Sequence, residues 1–250
     1  MKNLSFFLIL LAFLYCNAQH ETGNLIRQEQ KLVEIYQKFS DHRHDYGENA
    51  RDTILTRFKA QLLNTLKTSS YSGYPFDSLS TMMNVIQSND QNLTIISWDE
   101  LNGGTWHTFN SVYQYANRDL IQSDFLTHEK EPDEDLDFLD VTYYDIREPI
   151  PGNYLIKGYG THGHGHEFFT LRLLSFNNNT LVDCRNCLNG KDKLVIYKAR
   201  SKEDPIEIDT INNQIMYREY KEDLESGFMI PTGKTRTLHY KNGAYLPLKN

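Results

Sequence analysis

The sequence predicts an α+β protein, with N-terminal helices packed on a large antiparallel β-sheet meander that has room to curl. Three observations carry this. Up to about residue 90 apolar residues recur at helix-face spacing, and from Asn92 onward the period becomes two and β-forming residues dominate. The strand-like runs are separated by short turn signals and not by helices, so neighbouring strands pair antiparallel.

Leu25, Leu32, Tyr36 and Phe39 share one face of a first helix, with Ile26 and Val33 beside them, and the polar run from Ser40 to Gly47 ends it. Ile54, Leu55, Phe58, Leu62, Leu63 and Leu66 form the stripe of a second helix that fades at Thr68-Ser69-Ser70. After Gly73 and Pro75 a short third helix is expected from Asp77, where Leu79, Met82, Met83 and Ile86 share a face and Asp77 or Ser78 can cap the free N–H groups. Strands are expected at Leu93–Trp98, Thr105–Tyr115, Phe138–Ile146, Asn153–Tyr159, Glu167–Phe176, Lys193–Lys198, Pro205–Thr210, Gln214–Tyr220, Thr235–Tyr240 and Ala244–Leu248. Asn102-Gly103-Gly104, Pro151-Gly152, Asn177-Asn178-Asn179, Asn212-Asn213 and Asn242-Gly243 supply the turns. Residues 19–90 thus form a helical segment and residues 91–250 a β-rich one, together a single domain.

Of the 250 residues, 39% are hydrophobic and the formal charge is −7. No basic stripe interrupts that acidity, which excludes nucleic acid as the main partner, because phosphate binding needs clustered Lys and Arg. Lys2 followed by the apolar run Leu4–Leu14 and by Cys16-Asn17-Ala18 has the layout of a secretory signal peptide over residues 1–18, cleaved before Gln19. The run is too short for a bilayer, which needs about 20 apolar residues. Lipid attachment at Cys16 is disfavoured by bulky Tyr15 in front of it. The expectation is an exported chain, periplasmic or extracellular, without a transmembrane segment. The mature chain keeps Cys184 and Cys187, whose C-x-x-C spacing lacks the strand-then-helix context of a redox motif and reads as a local disulfide. The segment from Glu129 to Asp140 carries seven acidic residues against Lys130 and reads as a solvated connection.

The most unusual stretch is Thr161-His162-Gly163-His164-Gly165-His166-Glu167. Imidazoles at alternate positions can ligate zinc or another divalent transition metal, with Glu167 as a base. The competing reading is a glycine-loosened hairpin tip with solvent-facing histidines and no cofactor, favoured because the sequence places no further ligand. Gly158, Gly160 and Gly163 match G-x-G-x-x-G, but a strand follows instead of the helix that would hold a pyrophosphate. Neither G-x-S-x-G nor H-E-x-x-H occurs. Aromatics gather around the first hairpin, where Trp98, Trp106, His107 and Tyr113 are the candidate contacts for a sugar or peptide.

The run Ser97-Trp98-Asp99-Glu100-Leu101-Asn102-Gly103-Gly104-Thr105, followed by Tyr113-Gln114-Tyr115, Tyr154-Leu155-Ile156-Lys157-Gly158-Tyr159-Gly160 and Tyr240-Lys241-Asn242-Gly243-Ala244-Tyr245, resembles segments of uncharacterised exported proteins of Bacteroidetes-type bacteria. The resemblance implies export and brings no activity. The functional expectation is a non-enzymatic cell-envelope module that binds a protein, peptide or glycan. The alternative is a metal-dependent hydrolase or metal-binding protein built on His162, His164 and His166.

Overall fold

The computed structural model describes residues 23–41, 48–102, 104–117, 120–126, 141–201 and 203–248. The expected signal peptide (residues 1–18, with Cys16) and the acidic segment Glu129–Asp140 lie outside the described residues. Helix α1 covers residues 23–41 and α2 covers Glu48–Thr68. Thirteen strands follow among the described residues: β1 (Asn84–Gln87), β2 (Leu93–Asp99), β3 (Phe109–Asn117), β4 (Leu120–Phe125), β5 (Thr142–Ile150), β6 (Asn153–His162), β7 (His166–Asn177), β8 (Thr180–Asp183), β9 (Lys193–Ala199), β10 (Ile206–Asp209), β11 (Gln214–Glu222), β12 (Met229–Lys241) and β13 (Ala244–Pro247). The α+β class and antiparallel pairing agree with the sequence pattern.

The strands do not form one meander. They divide into three sheets: β1-β2-β3-β4, then β5-β6-β7-β8 with β9 on the free edge of β7, then β10-β11-β12-β13. The burial pattern explains why. Leu93 and Ile95 of β2 join a core with Tyr154, Ile156 and Phe168 of the second sheet, whereas Ile96 and Trp98 join Phe58, Leu62 and Leu66 of α2. The second sheet turns Leu155, Phe169, Leu171 and Leu173 toward Ile206, Ile215, Leu238 and Tyr245 of the third. Helices, first sheet, second sheet and third sheet therefore stack in that order. The middle sheet is covered on both faces, which is why β6 and β7 read as near-continuous apolar runs instead of alternating ones.

The helices dock by the stripes expected of them. Leu32, Tyr36 and Phe39 of α1 and Phe58, Leu62 and Leu66 of α2 are 3% exposed or less. The Phe58 ring meets Trp98 edge-on at 5.4 Å. Gln114 of β3 fastens the end of α2: its Nε2 donates to Leu66 O and Ser69 O, and its Oε1 accepts from Tyr71 N. The expected third helix is a correction. Only a 3-10 turn, Leu79–Thr81, forms, and Ile86 belongs to strand β1. Neither Asp77 nor Ser78 caps it; Glu29, reaching over from α1, accepts from Ser78 N and Leu79 N at 2.9 and 2.8 Å and from Tyr74 Oη at 2.6 Å. With those N–H groups satisfied from outside, the chain is free to turn into a strand paired with β2.

Besides β1, two strands were not legible: β4 and β8 are short strands at the edges of their sheets. The expected strand Thr105–Tyr115 begins only at Phe109, and the preceding residues form a loop that helps to build the site described next.

Candidate binding site

The β6–β7 hairpin ends beyond the reach of its neighbour β5, whose pairing stops at Thr142↔Tyr159. Gly160, Thr161 and His162 continue with β7 alone, and His162 faces His166 as the last pair. His164 and Gly165 at the tip have φ of +61° and +81°, so this turn needs the permissive residues that the Gly-rich sequence supplies.

Four separate segments converge on this end of the sheet. From the β2–β3 loop, Trp106 lies on His162 with ring centroids 4.7 Å apart. From β9, Tyr197 stacks on His166 at 5.0 Å and places its Oη 3.1 Å from His162 Nδ1. From the turn between β11 and β12, Phe228 stacks on the His166 ring at 5.0 Å. Trp106 and Phe228 are each 38% exposed. The loop carrying Trp106 is pinned by His107 N, which donates to Thr161 Oγ1 at 2.8 Å, and by Arg200 Nη2, which donates to Thr105 O at 2.9 Å. His166 Nδ1 is buried with no hydrogen-bond partner. Burial, then His162 and His164, hold its imidazole below the ordinary range, and Glu222 opposes them.

His107 is fixed beside this cluster. A carboxylate only accepts, so His107 Nδ1–H donates to Asp99 Oδ2 at 2.7 Å and the Nε2 side is turned away from Asp99. Asp99 is itself held by Leu101 N at 2.7 Å, with Leu101 in the left-handed region at φ +54°, unusual for so large a residue.

The opposite face of the same strands is charged and buried. Glu167 of β7 and Lys198 of β9 are a directly opposed cross-strand pair, each 1% exposed. They are joined as an ion pair, and Lys198 Nζ also donates to Ser201 Oγ at 2.8 Å while Glu167 Oε1 accepts from Ser201 N at 3.0 Å. Deeper in the sheet, on the face that His166 shares, Arg172 donates to both Asp183 oxygens at 2.8 and 2.7 Å and to Tyr143 Oη at 2.8 Å.

The structure divides the candidate contacts from the sequence. Trp106 and His107 come together with His162 and His166. Trp98 and Tyr113 do not: at 1% and 5% exposure they are core residues, one facing the helices and the other the middle sheet. The three histidines do not converge either, because His164 stands exposed at the tip while His162 and His166 face each other across the strands with ring centroids 6.4 Å apart. Among the described residues no three His, Cys, Asp or Glu side chains gather to hold a metal ion. Glu167, read as a base beside those histidines, points to the other face, as adjacent strand residues must. Cys184 and Cys187 are a disulfide pair with Cα atoms 5.6 Å apart. No helix among the described residues is long and apolar enough to cross a membrane.

Sequence reasoning missed Asp99, Tyr197 and Phe228. A signal for Tyr197 existed: pairing Glu167 with Lys198 by charge sets the β7–β9 register and brings Tyr197 beside His166. Nothing local marks Phe228, which arrives from the third sheet. Comparison with known proteins returns no match: no family model, no curated protein and no solved structure is similar to this chain.

Proposed function

We propose that this chain is an exported cell-envelope protein that binds a protein, peptide or glycan at the ring-lined end of its middle sheet, without chemical turnover. The observation that carries the reading is the gathering of Trp106, His162, His166, Tyr197 and Phe228 from four segments, with the two hydrocarbon-rich rings left more than a third exposed. Sites of this kind combine apolar rings with a few placed polar groups, which here are the imidazoles and the Tyr197 hydroxyl. Export is supported by the apolar run Leu4–Leu14 behind Lys2 and the small residue Ala18.

Two measurements test it. N-terminal sequencing of protein recovered from cell fractions of a producing bacterium is expected to begin at Gln19 in an extracytoplasmic fraction; an intact Met1 in the cytoplasm would remove export. Purified protein lacking residues 1–18 is expected to bind an envelope fraction in sedimentation assays, and Trp106→Ala together with Phe228→Ala to reduce that binding at least tenfold. Turnover of an envelope substrate by the purified protein would overturn the binding-only reading.

A further inference from the structure

The Cys184–Cys187 disulfide joins residues only three apart, a loop too short to restrict the unfolded chain much, so opening it costs the fold little. The turn is held instead by hydrogen bonds that bypass the sulfur atoms. Cys184 N donates to Leu173 O of β7 at 2.8 Å, and Asn186 N donates to Asp192 Oδ1 at 2.6 Å. Leu188 and Lys191 exchange N–H···O bonds of 2.9 and 3.1 Å. From the third sheet, Tyr245 N of β13 donates to Cys187 O at 2.6 Å, and Asn189 N donates back to Tyr245 O at 2.8 Å. Asn186, between the two cysteines, has a left-handed φ of +58°, a conformation that asparagine visits readily. The turn is thus clamped between the middle and third sheets by bonds that do not include S–S.

The two sulfurs differ in access. Cys187 is 7% exposed and precedes the fully buried Leu188, whereas Cys184 is half-buried and followed by exposed Arg185 and Asn186. Thiol–disulfide exchange needs an approach to one sulfur and departure of the other. The approach is open at Cys184, which makes Cys187 the leaving sulfur. Each sulfur also has a carbonyl beside it: Gly243 O is 3.9 Å from Cys184 Sγ, and Arg185 O is 3.3 Å from Cys187 Sγ. A bonded sulfur cannot donate to these oxygens, but a free S–H can. The reduced pair therefore finds acceptors in the same turn, with Cα atoms 5.6 Å apart and within disulfide reach. No helix follows to activate a cysteine as an oxidoreductase does, so the pair suits a substrate of exchange and not a catalyst of it.

We infer that Cys184–Cys187 is a reversible redox site, opened by an external dithiol at Cys184 and reclosed without rearrangement of the fold. One thiolate of the dithiol attacks Cys184 Sγ; the S–S bond breaks, and Cys187 leaves as a thiolate that takes up a proton. The second thiol of the reagent then attacks the reagent's own sulfur in the mixed disulfide, and Cys184 leaves and is protonated in turn. The protein gains two electrons and two protons, and the dithiol becomes a cyclic disulfide. An external disulfide reverses these steps, with Cys184 as the attacking thiolate.

The test uses the full chain with dithiothreitol as reductant and oxidised glutathione as oxidant, read by alkylation and peptide mass mapping, which separates Cys16 from the pair. Dithiothreitol is expected to free both thiols in the native protein with near-ultraviolet circular dichroism retained, and glutathione to restore the bond. Amide exchange at Asn189 and Tyr245 is expected to differ less than threefold between the two forms. In Cys187→Ser the remaining thiol is expected to form the glutathione adduct at least tenfold faster than the one in Cys184→Ser. If either variant fails to fold, acid-quenched wild-type mixtures supply the same comparison through the adducts on each cysteine. Thiols that appear only in urea would make the bond an inert cross-link and overturn the inference. Loss of the near-ultraviolet signal, or amide exchange accelerated threefold or more, would overturn reclosure in place. A smaller preference for Cys184 would overturn the point of attack.

Discussion

At the scale of single residues the middle sheet carries an unusual load of buried charge. Glu167 and Lys198 are sealed between layers, and a lone charge left there is far more costly than the pair. Glu167→Ala, which strands Lys198, is expected to lower stability by about 3–5 kcal/mol in urea denaturation, whereas Glu167→Leu combined with Lys198→Met should restore most of that loss. Equal destabilisation by the single and double replacements would show that the pair is not the cause. His166 gives a pH-dependent counterpart. Its folded pKa lies below the ordinary value, through burial and the neighbouring His162 and His164, against Glu222 and with the stacked Tyr197 ring alongside. The unfolded chain thus binds the proton more readily. The contribution of His166 is complete above about pH 6.5 and is lost as pH falls through its lower folded value. NMR titration should place its midpoint below that of an unperturbed histidine, and His166→Gln should flatten stability over that interval. A midpoint at or above the ordinary range would contradict the packing described.

Elements obey the sequence where local pattern and burial agree. The α1 and α2 stripes are legible because each helix buries one face and leaves the other in water. The segment after Asp77 was not, since its N–H groups are satisfied by Glu29 from a helix some fifty residues away in sequence. Gln114 acts similarly on α2. Gln114→Leu leaves Leu66 O, Ser69 O and Tyr71 N without that partner, although Ser123 Oγ still reaches Leu66 O. Each group left unpaired costs about 1–3 kcal/mol. Hydrogen exchange is expected to accelerate at the end of α2 and across Ser69–Tyr71 before the rest of the molecule; uniform acceleration everywhere would argue against a local fastening role.

For the molecule as a whole, stability is expected to rest on the stacking of layers and not on the cross-link. Phe58 lies where the helices meet the first sheet, and Phe58→Ala should cost about 3–5 kcal/mol. The Cys184–Cys187 bond closes so short a loop that the chain-entropy account gives it about 2 kcal/mol at most. Calorimetry of reduced protein should therefore show a smaller drop in Tm than Phe58→Ala does. The reverse order would mean that the bonded turn, whose Leu188 is fully buried in the core shared with the third sheet, is a main support of that layer.

The sequence alone determined the class of the fold, the two helical stripes, most strands and their antiparallel sense, because these follow from periodicities of 3.6 and 2 and from turn chemistry within a few residues. It also marked Trp106, His107 and the His162–His166 hairpin as places of interest. Only the tertiary structure decided that the strands split into three stacked sheets and that Trp98 and Tyr113 are core. Tyr197 and Phe228 complete the ring cluster for the same reason. Which face meets which layer depends on the pairing and stacking of distant segments, and no local periodicity records it.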